Sequence, residues 1–179
     1  MRMTCLAVVA VILLASSSSS VRADEAGVIA ALEKKGAVVT GSPDGKRGVK
    51  DSIIIFGDSW KDADFKQLKE IKNLKYVSIS AANITDGGIK ELAAVPKLEV
   101  LTMEFTKVSD KGMKDMLALK ELRKLRLSFA KITDAGLKEL TGLKNLESLG
   151  IEGTKCTAAG VKEFQTALPN CKIYSPGIK

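Results

Sequence analysis

Apolar residues in this chain recur with a period of 24 positions, and inside each period their spacing changes part-way. Segments beginning at Leu74, Leu98, Leu122 and Leu146 align: LKYVSISAANITDGGIKELAAVPK, LEVLTMEFTKVSDKGMKDMLALKE, LRKLRLSFAKITDAGLKELTGLKN and LESLGIEGTKCTAAGVKEFQTALPN. The last is one residue longer than the others, near Ala167. In the unit from Leu122, Leu125 and Leu127 alternate as the inward positions of a strand do. Ile132 then turns inward, Thr133 is placed to cap a helix, and Asp134 falls in its first turn, where the helix dipole favours an acid. Leu137, Leu140 and Leu143 follow at three-residue spacing, one face of a short helix. Gly88, Gly112, Gly136 and Gly160 recur just before the first apolar residue of each helix and predict close backbone approach there.

Shifting 24 residues back from Leu74 finds a degenerate copy with Ile53, Ile55, Trp60, Phe65, Leu68 and Ile71 at the apolar places. Shifting forward finds a closing strand, Cys171-Lys172-Ile173-Tyr174. The pattern predicts an α/β solenoid with a parallel β-sheet on its concave face and short α-helices on its convex face. One such unit buries too little apolar surface to offset the ordering of its own backbone, so the units must stack and the ends need lids. A large-to-small change at Leu125, mid-array, is therefore expected to destabilise more than one at Ile55, beside the lid, unless the lid packs as tightly as a repeat.

Residues 50–179 form this solenoid, about five 24-residue repeats plus the closing strand. Residues 24–49 are the expected N-terminal cap. Val28, Ile29, Ala31 and Leu32 pattern a helix, Ala37 to Thr40 an extended segment that leaves Ile54 and Phe56 under the lid, and GSPDGKRG a turn. Residues 1–23 have the layout of a signal peptide: Arg2, an apolar run from Cys5 to Ala15, a serine-rich stretch, then Val21-Arg22-Ala23. The run has eleven residues, against about 20 needed to span a bilayer. Cleavage after Ala23 and a secreted or periplasmic chain, with no stable membrane insertion afterwards, are expected; an uncleaved N-terminal anchor is the alternative.

The repeat resembles the cysteine-containing subclass of leucine-rich repeats, consensus LxxLxLxxTxITDxGLxxL, in the ribonuclease-inhibitor-like superfamily. The likeness covers about residues 50–175. The whole layout, with a helix near AALEKKGAVV and a terminal LPNCKI, is similar to small secreted bacterial repeat proteins. The first repeat departs from the pattern at Lys61-Asp62-Ala63-Asp64, and the last has Ala158 in place of the acid. The resemblance implies a protein that binds other proteins.

Composition narrows the chemistry. Hydrophobic residues make up 45% and charged residues 27%, aromatics only 4%, and there is no histidine, the commonest acid/base catalyst and a common metal ligand. Without residues 1–23 two arginines and no acid are lost, so the formal charge falls from +7 to +5. Its lysines are spread evenly, which argues against nucleic acid. Pairs such as Lys90-Glu91 and Lys138-Glu139 decorate the outer helices. Asp86, Asp110 and Asp134 suggest either a calcium ladder or one dipole-favoured acid per helix, and the second accounts for them by position. Cys156 and Cys171 sit at core positions near opposite ends of the strand, which favours two buried thiols over a disulfide. No motif of an enzyme breaks the repeat, and no cofactor or metal is expected.

What remains is the inner face of the sheet. Its outward residues fall into rows: Ser52, Tyr76, Val100, Lys124 and Ser148; Ile54, Ser78, Thr102, Arg126 and Gly150; Phe56, Ser80, Glu104, Ser128 and Glu152. Phe105 and Phe129 stand beside them, one strand apart. Candidate binding residues are Tyr76, Glu104, Phe105, Lys124, Arg126, Phe129 and Glu152, centred on the repeats from Leu98 and Leu122. The two phenylalanines have a plainer reading as seals of the strand edge. The expected partner of this monomeric scaffold is a protein or peptide; the alternative is a glycan or cell-envelope component.

Overall fold

The computed structural model describes residues 23–41, 50–80 and 83–178. The expected signal peptide, apart from Ala23, and the turn-rich stretch 42–49 lie outside the described residues.

Helix α1 (Ala23–Lys34) leads into strand β1 (Val38–Gly41) and then β2 (Lys50–Phe56). One strand per repeat follows: β3 (Tyr76–Ser80), β4 (Val100–Glu104), β5 (Lys124–Ser128), β6 (Ser148–Gly150) and β7 (Lys172–Tyr174). Together they make a seven-stranded sheet in chain order, with β1 antiparallel to β2 and every later pair parallel. Partners lie 24 residues apart, so Leu101, Leu125 and Leu149 align across β4, β5 and β6. The convex side carries a 3₁₀ segment (Asp62–Glu70), α2 (Asp86–Leu92), α3 (Asp110–Met116), α4 (Asp134–Leu140) and α5 (Ala158–Ala167). This is the α/β solenoid that the periodicity predicts.

The N-terminal segment seals the array differently from the expectation. β1 joins as an edge strand, with Val38 opposite Ile54, and does not fold over the inner face. Phe56 is left 56% exposed and Ile54 half-buried. Ile55 is nevertheless 0% exposed, as deep as Leu125 at 2%. The expected difference between those two positions therefore disappears. Lys35, after α1, pairs with Asp64 and lies 5.3 Å from the centre of the Trp60 ring, tying the segment to the first repeat. Burial opposes the charge on Asp64, but Lys35 and the Lys61 amide outweigh it and hold the carboxyl below its usual range.

The aspartates do more than face a helix dipole. Asp62 accepts from the Thr85 amide and hydroxyl at 2.8 and 2.5 Å, and Asp86 from those of Ser109 at 2.7 and 2.7 Å. Asp110 does the same for Thr133 (2.8 and 2.7 Å) and Asp134 for Thr157 (2.7 and 2.7 Å). Each acid thus clasps the capping residue of the next repeat. The threonine hydroxyl in turn accepts from its own helix, from Gly87, Ala135 or Gly160. The recurrent glycines follow from this: a Cβ at Gly112 would stand 2.8 Å from Asp86 Oδ1. Asp62 keeps the clasp although the rest of the first repeat's signature is gone. Ala158 lies in α5, after which the described residues contain no further helix to clasp.

Cys156 and Cys171 are free thiols buried in the core. Burial pushes Cys156 upward and Cys171 up to about 11.

Candidate functional site

Alternation along each strand sends every second side chain to the inner face, and the 24-residue register aligns them across the sheet. The first row runs Ser52, Tyr76, Val100, Lys124, Ser148 and Lys172; the second runs Ile54, Ser78, Thr102, Arg126, Gly150 and Tyr174. The third pairs Phe56, Ser80, Glu104 and Ser128. Glu152 extends it just past the end of β6.

A further column stands at the ends of the strands. Gly57, Phe105, Phe129 and Gly153 all adopt left-handed backbone, with φ of 86°, 56°, 57° and 66°. The amides of Gly57, Phe105 and Phe129 donate to Ser80, Ser128 and Glu152 carbonyls of the next repeat, at 3.2, 3.1 and 2.8 Å. Glycine meets this geometry without strain, whereas an L-residue there costs about 1–2 kcal/mol. Two phenylalanines occupy it mid-array. Their rings stack at 4.5 Å with planes 5° apart, 57% and 45% exposed, and Phe129 lies against Gly153 on its other side.

Three adjoining hollows, of about 210, 410 and 370 Å³, lie on the inner face: the first runs from Val100 and Thr102 on β4 across β5 to Gly150 and Tyr174, and the other two lie over β5, β6 and β7. Lys124 and Arg126 wall the latter two on one side, Lys172 and Tyr174 on the other, with Ser148 and Gly150 as a low floor. Tyr174, 60% exposed, lines all three. The aliphatic part of Arg126 lies against the bare Gly150, where a Cβ would stand 3.2 Å from Arg126 Cγ. Its guanidinium reaches Glu104 at 3.5 Å. Glu147 pairs with Arg123 at 2.6 Å. Among the described residues no carboxylate pairs with Lys124 or Lys172.

Of the residues expected from sequence, Lys124, Arg126 and Glu152 line this trough, Glu104 holds Arg126, and Phe105 and Phe129 form a ledge at the strand ends. Tyr76 stands apart, half-buried on β3, two strands from Lys124. One hollow reaches back over β4 and β5, and the other two lie over β5 to β7, where the side chains shrink at Ser148 and Gly150 and a tyrosine closes the far side. Lys172 and Tyr174 were missed. Continuing the rows by one more 24-residue shift into the closing strand finds both. Among the described residues no group of three or more His, Cys, Asp or Glu is placed to hold a metal ion, and no helix is long and apolar enough to cross a membrane.

A leucine-rich-repeat family model matches residues 71–93 and 120–140. No curated protein sequence matches this one. Among solved structures, the leucine-rich-repeat ectodomain of the receptor kinase SOBIR1 from Arabidopsis thaliana is similar in fold at 16% identity, over 86% of this chain and 92% of that one, with a TM-score of 0.51. Internalin C2 from Listeria monocytogenes is 12% identical over 69% of this chain and 70% of its own, TM-score 0.45. A leucine-rich-repeat protein from Leptospira interrogans is 22% identical over 60% of this chain, which spans 33% of that protein, TM-score 0.43. The chain carries leucine-rich repeats, a scaffold typical of protein-binding domains.

Proposed function

We propose that this protein is an exported, non-catalytic monomeric scaffold that binds a protein or peptide on its concave face, without cofactor and without nucleic acid. The observation that carries the reading is the Phe105–Phe129 pair. At the same column Gly57 and Gly153 show that glycine fits. Placing two exposed phenylalanines there strains the backbone and leaves apolar surface in water, a combination found where a surface is used. A partner that covers the ledge recovers that surface, and aromatic anchors are where binding energy concentrates. The glycan alternative is less favoured because Phe129, between Phe105 and Gly153, offers a sugar no free face and leaves the stacking to other rings such as Phe105 and Tyr174.

The double variant Phe105→Gly, Phe129→Gly separates binding from edge-sealing. Relief of strain offsets the lost stacking, so unfolding free energy should change by no more than about 1 kcal/mol. Proteins retained from an envelope extract by immobilised wild type should be lost with the variant. If the variant unfolds easily yet retains the same proteins, the rings are seals and not anchors.

The export part rests on the leader read in the sequence. Protein recovered from outside the cytoplasm of its native cell should begin at Asp24 by N-terminal sequencing. A chain recovered there that still begins at Met1 would contradict cleavage.

A further inference from the structure

Building on the concave-face reading, we infer that the trough over β6 takes an extended peptide laid along that strand. The peptide carries a carboxylate over Ser148, an apolar side chain beside Tyr174, and a cation toward Glu152 and Glu104. It is an alternating acid, apolar, base segment, and the sheet dictates which end goes where.

Three features lead to this partner. Width comes first: β5 and β7 are two strand spacings apart, about 9.6 Å, which leaves room above β6 for one extended chain. Spacing comes second. Successive rows of the sheet are two residues apart, about 6.7 Å, which is also the repeat of same-face side chains in an extended peptide. The third is charge. Lys124 and Lys172 flank Ser148 with no carboxylate partner among the described residues, and Glu147, which lines the same hollow, is paired with Arg123, so the first row presents net positive charge. In the second row Arg126 is drawn toward Glu104, and the exposed Tyr174 offers an apolar body with a polar tip. The third row is acidic, with Glu104 held by Arg126 and Glu152 exposed in no ion pair among the described residues. The field along the trough therefore changes sign over two rows, about 13 Å. A peptide placed the other way would set its acid against Glu152 and its base between two lysines, and like charges so placed are strongly disfavoured.

Selection from a library of short random peptides displayed on phage tests this, using wild type, Lys124→Glu/Lys172→Glu, Gly150→Leu and Phe105→Gly/Phe129→Gly. The charged side chains to be changed are exposed, and circular dichroism checks each fold. Wild type should enrich peptides with an acid and a base on opposite sides of an apolar residue at alternate positions. Lys124→Glu/Lys172→Glu should weaken these peptides at least about tenfold and should itself enrich peptides with bases on both sides. Gly150→Leu, which puts a side chain on the floor without altering charge, should abolish binding. Enriched peptides that lack the alternation, or ignore the lysine reversal, overturn this inference. If those peptides still depend on Gly150 or the phenylalanines, the concave-face reading survives it. If enrichment is absent, or indifferent to every one of these variants, both are wrong.

Discussion

Leu125→Ala is expected to lower the unfolding free energy by about 2–5 kcal/mol, and Ile55→Ala to lower it by a similar amount. Leu125 sits mid-array on β5 with Leu101 and Leu149 beside it in register, and truncation leaves a cavity that neither neighbouring strand can fill. Ile55 lies in the first repeat, where stacking on one side alone would allow collapse. The opposite side is closed instead by the N-terminal segment, where Ile29 and Leu32 of α1 and Ala37, just before β1, are buried in the same core. Trp60 and Phe65 fill the repeat from below, both 0% exposed and 6.5 Å apart at their ring centres. Urea denaturation of the two variants reads the comparison, with midpoints converted at a common slope. An Ile55→Ala loss under about half that of Leu125→Ala would show that the N-terminal segment is a loose cover, since poorly enclosed sites relax around a deletion.

The repeat was legible because the solenoid uses one local pattern many times, and each copy corrects errors in reading the others. Positions such as Leu125, Ile132 and Leu137 are assigned five ways at once. The N-terminal segment has no such redundancy. Val38 and Val39 read as a strand, but nothing local distinguishes a strand laid across Phe56 from one added to the sheet edge, because that depends on a partner fixed by tertiary contact. The 3₁₀ geometry over Asp62–Glu70 was unreadable for the same reason.

The inner face was only partly legible. Alternation assigned Lys124, Arg126 and Glu104 to it correctly, and one strand spacing brought Phe105 beside Phe129. The left-handed backbone beneath those rings was signalled by Gly57 and Gly153 in the same column, a clue that emerges only when the column is read as a whole. Lys172 and Tyr174 lie one 24-residue shift beyond rows that were read only as far as Ser148 and Gly150, although the closing strand itself was evident. The aspartates do stand in the first helical turns as expected, but their second role was hidden for a different reason. An acid in a helical first turn is already explained by the dipole, so sequence offered no residue in need of a second explanation, and a partner 23 positions away leaves no local trace.

That second role makes Asp110→Ala a costlier substitution than the helix dipole alone would make it. The dipole alone is worth about 0.3–1 kcal/mol at a helix end. The clasp adds two hydrogen bonds to an ionised carboxylate, from the Thr133 amide and hydroxyl, both partly buried between α3 and α4. Bonds of that kind contribute about 1.5–3 kcal/mol each when buried, and partial exposure trims them to a joint loss of about 2–4 kcal/mol. Removing the acid also leaves the Thr133 amide without its acceptor. Asp115, exposed on the same helix and outside the clasp, is the control, and Asp115→Ala should stay within about 0.5 kcal/mol of wild type. A double-mutant cycle with Thr133→Ala should give a coupling above about 1 kcal/mol, because either substitution removes the hydroxyl bond. The clasp links one repeat to the next, so its loss should also broaden the denaturation transition as the two halves of the array begin to unfold separately. A loss at Asp110 no greater than the dipole contribution, with no coupling to Thr133, would mean that the hydrophobic stack alone holds the repeats in register.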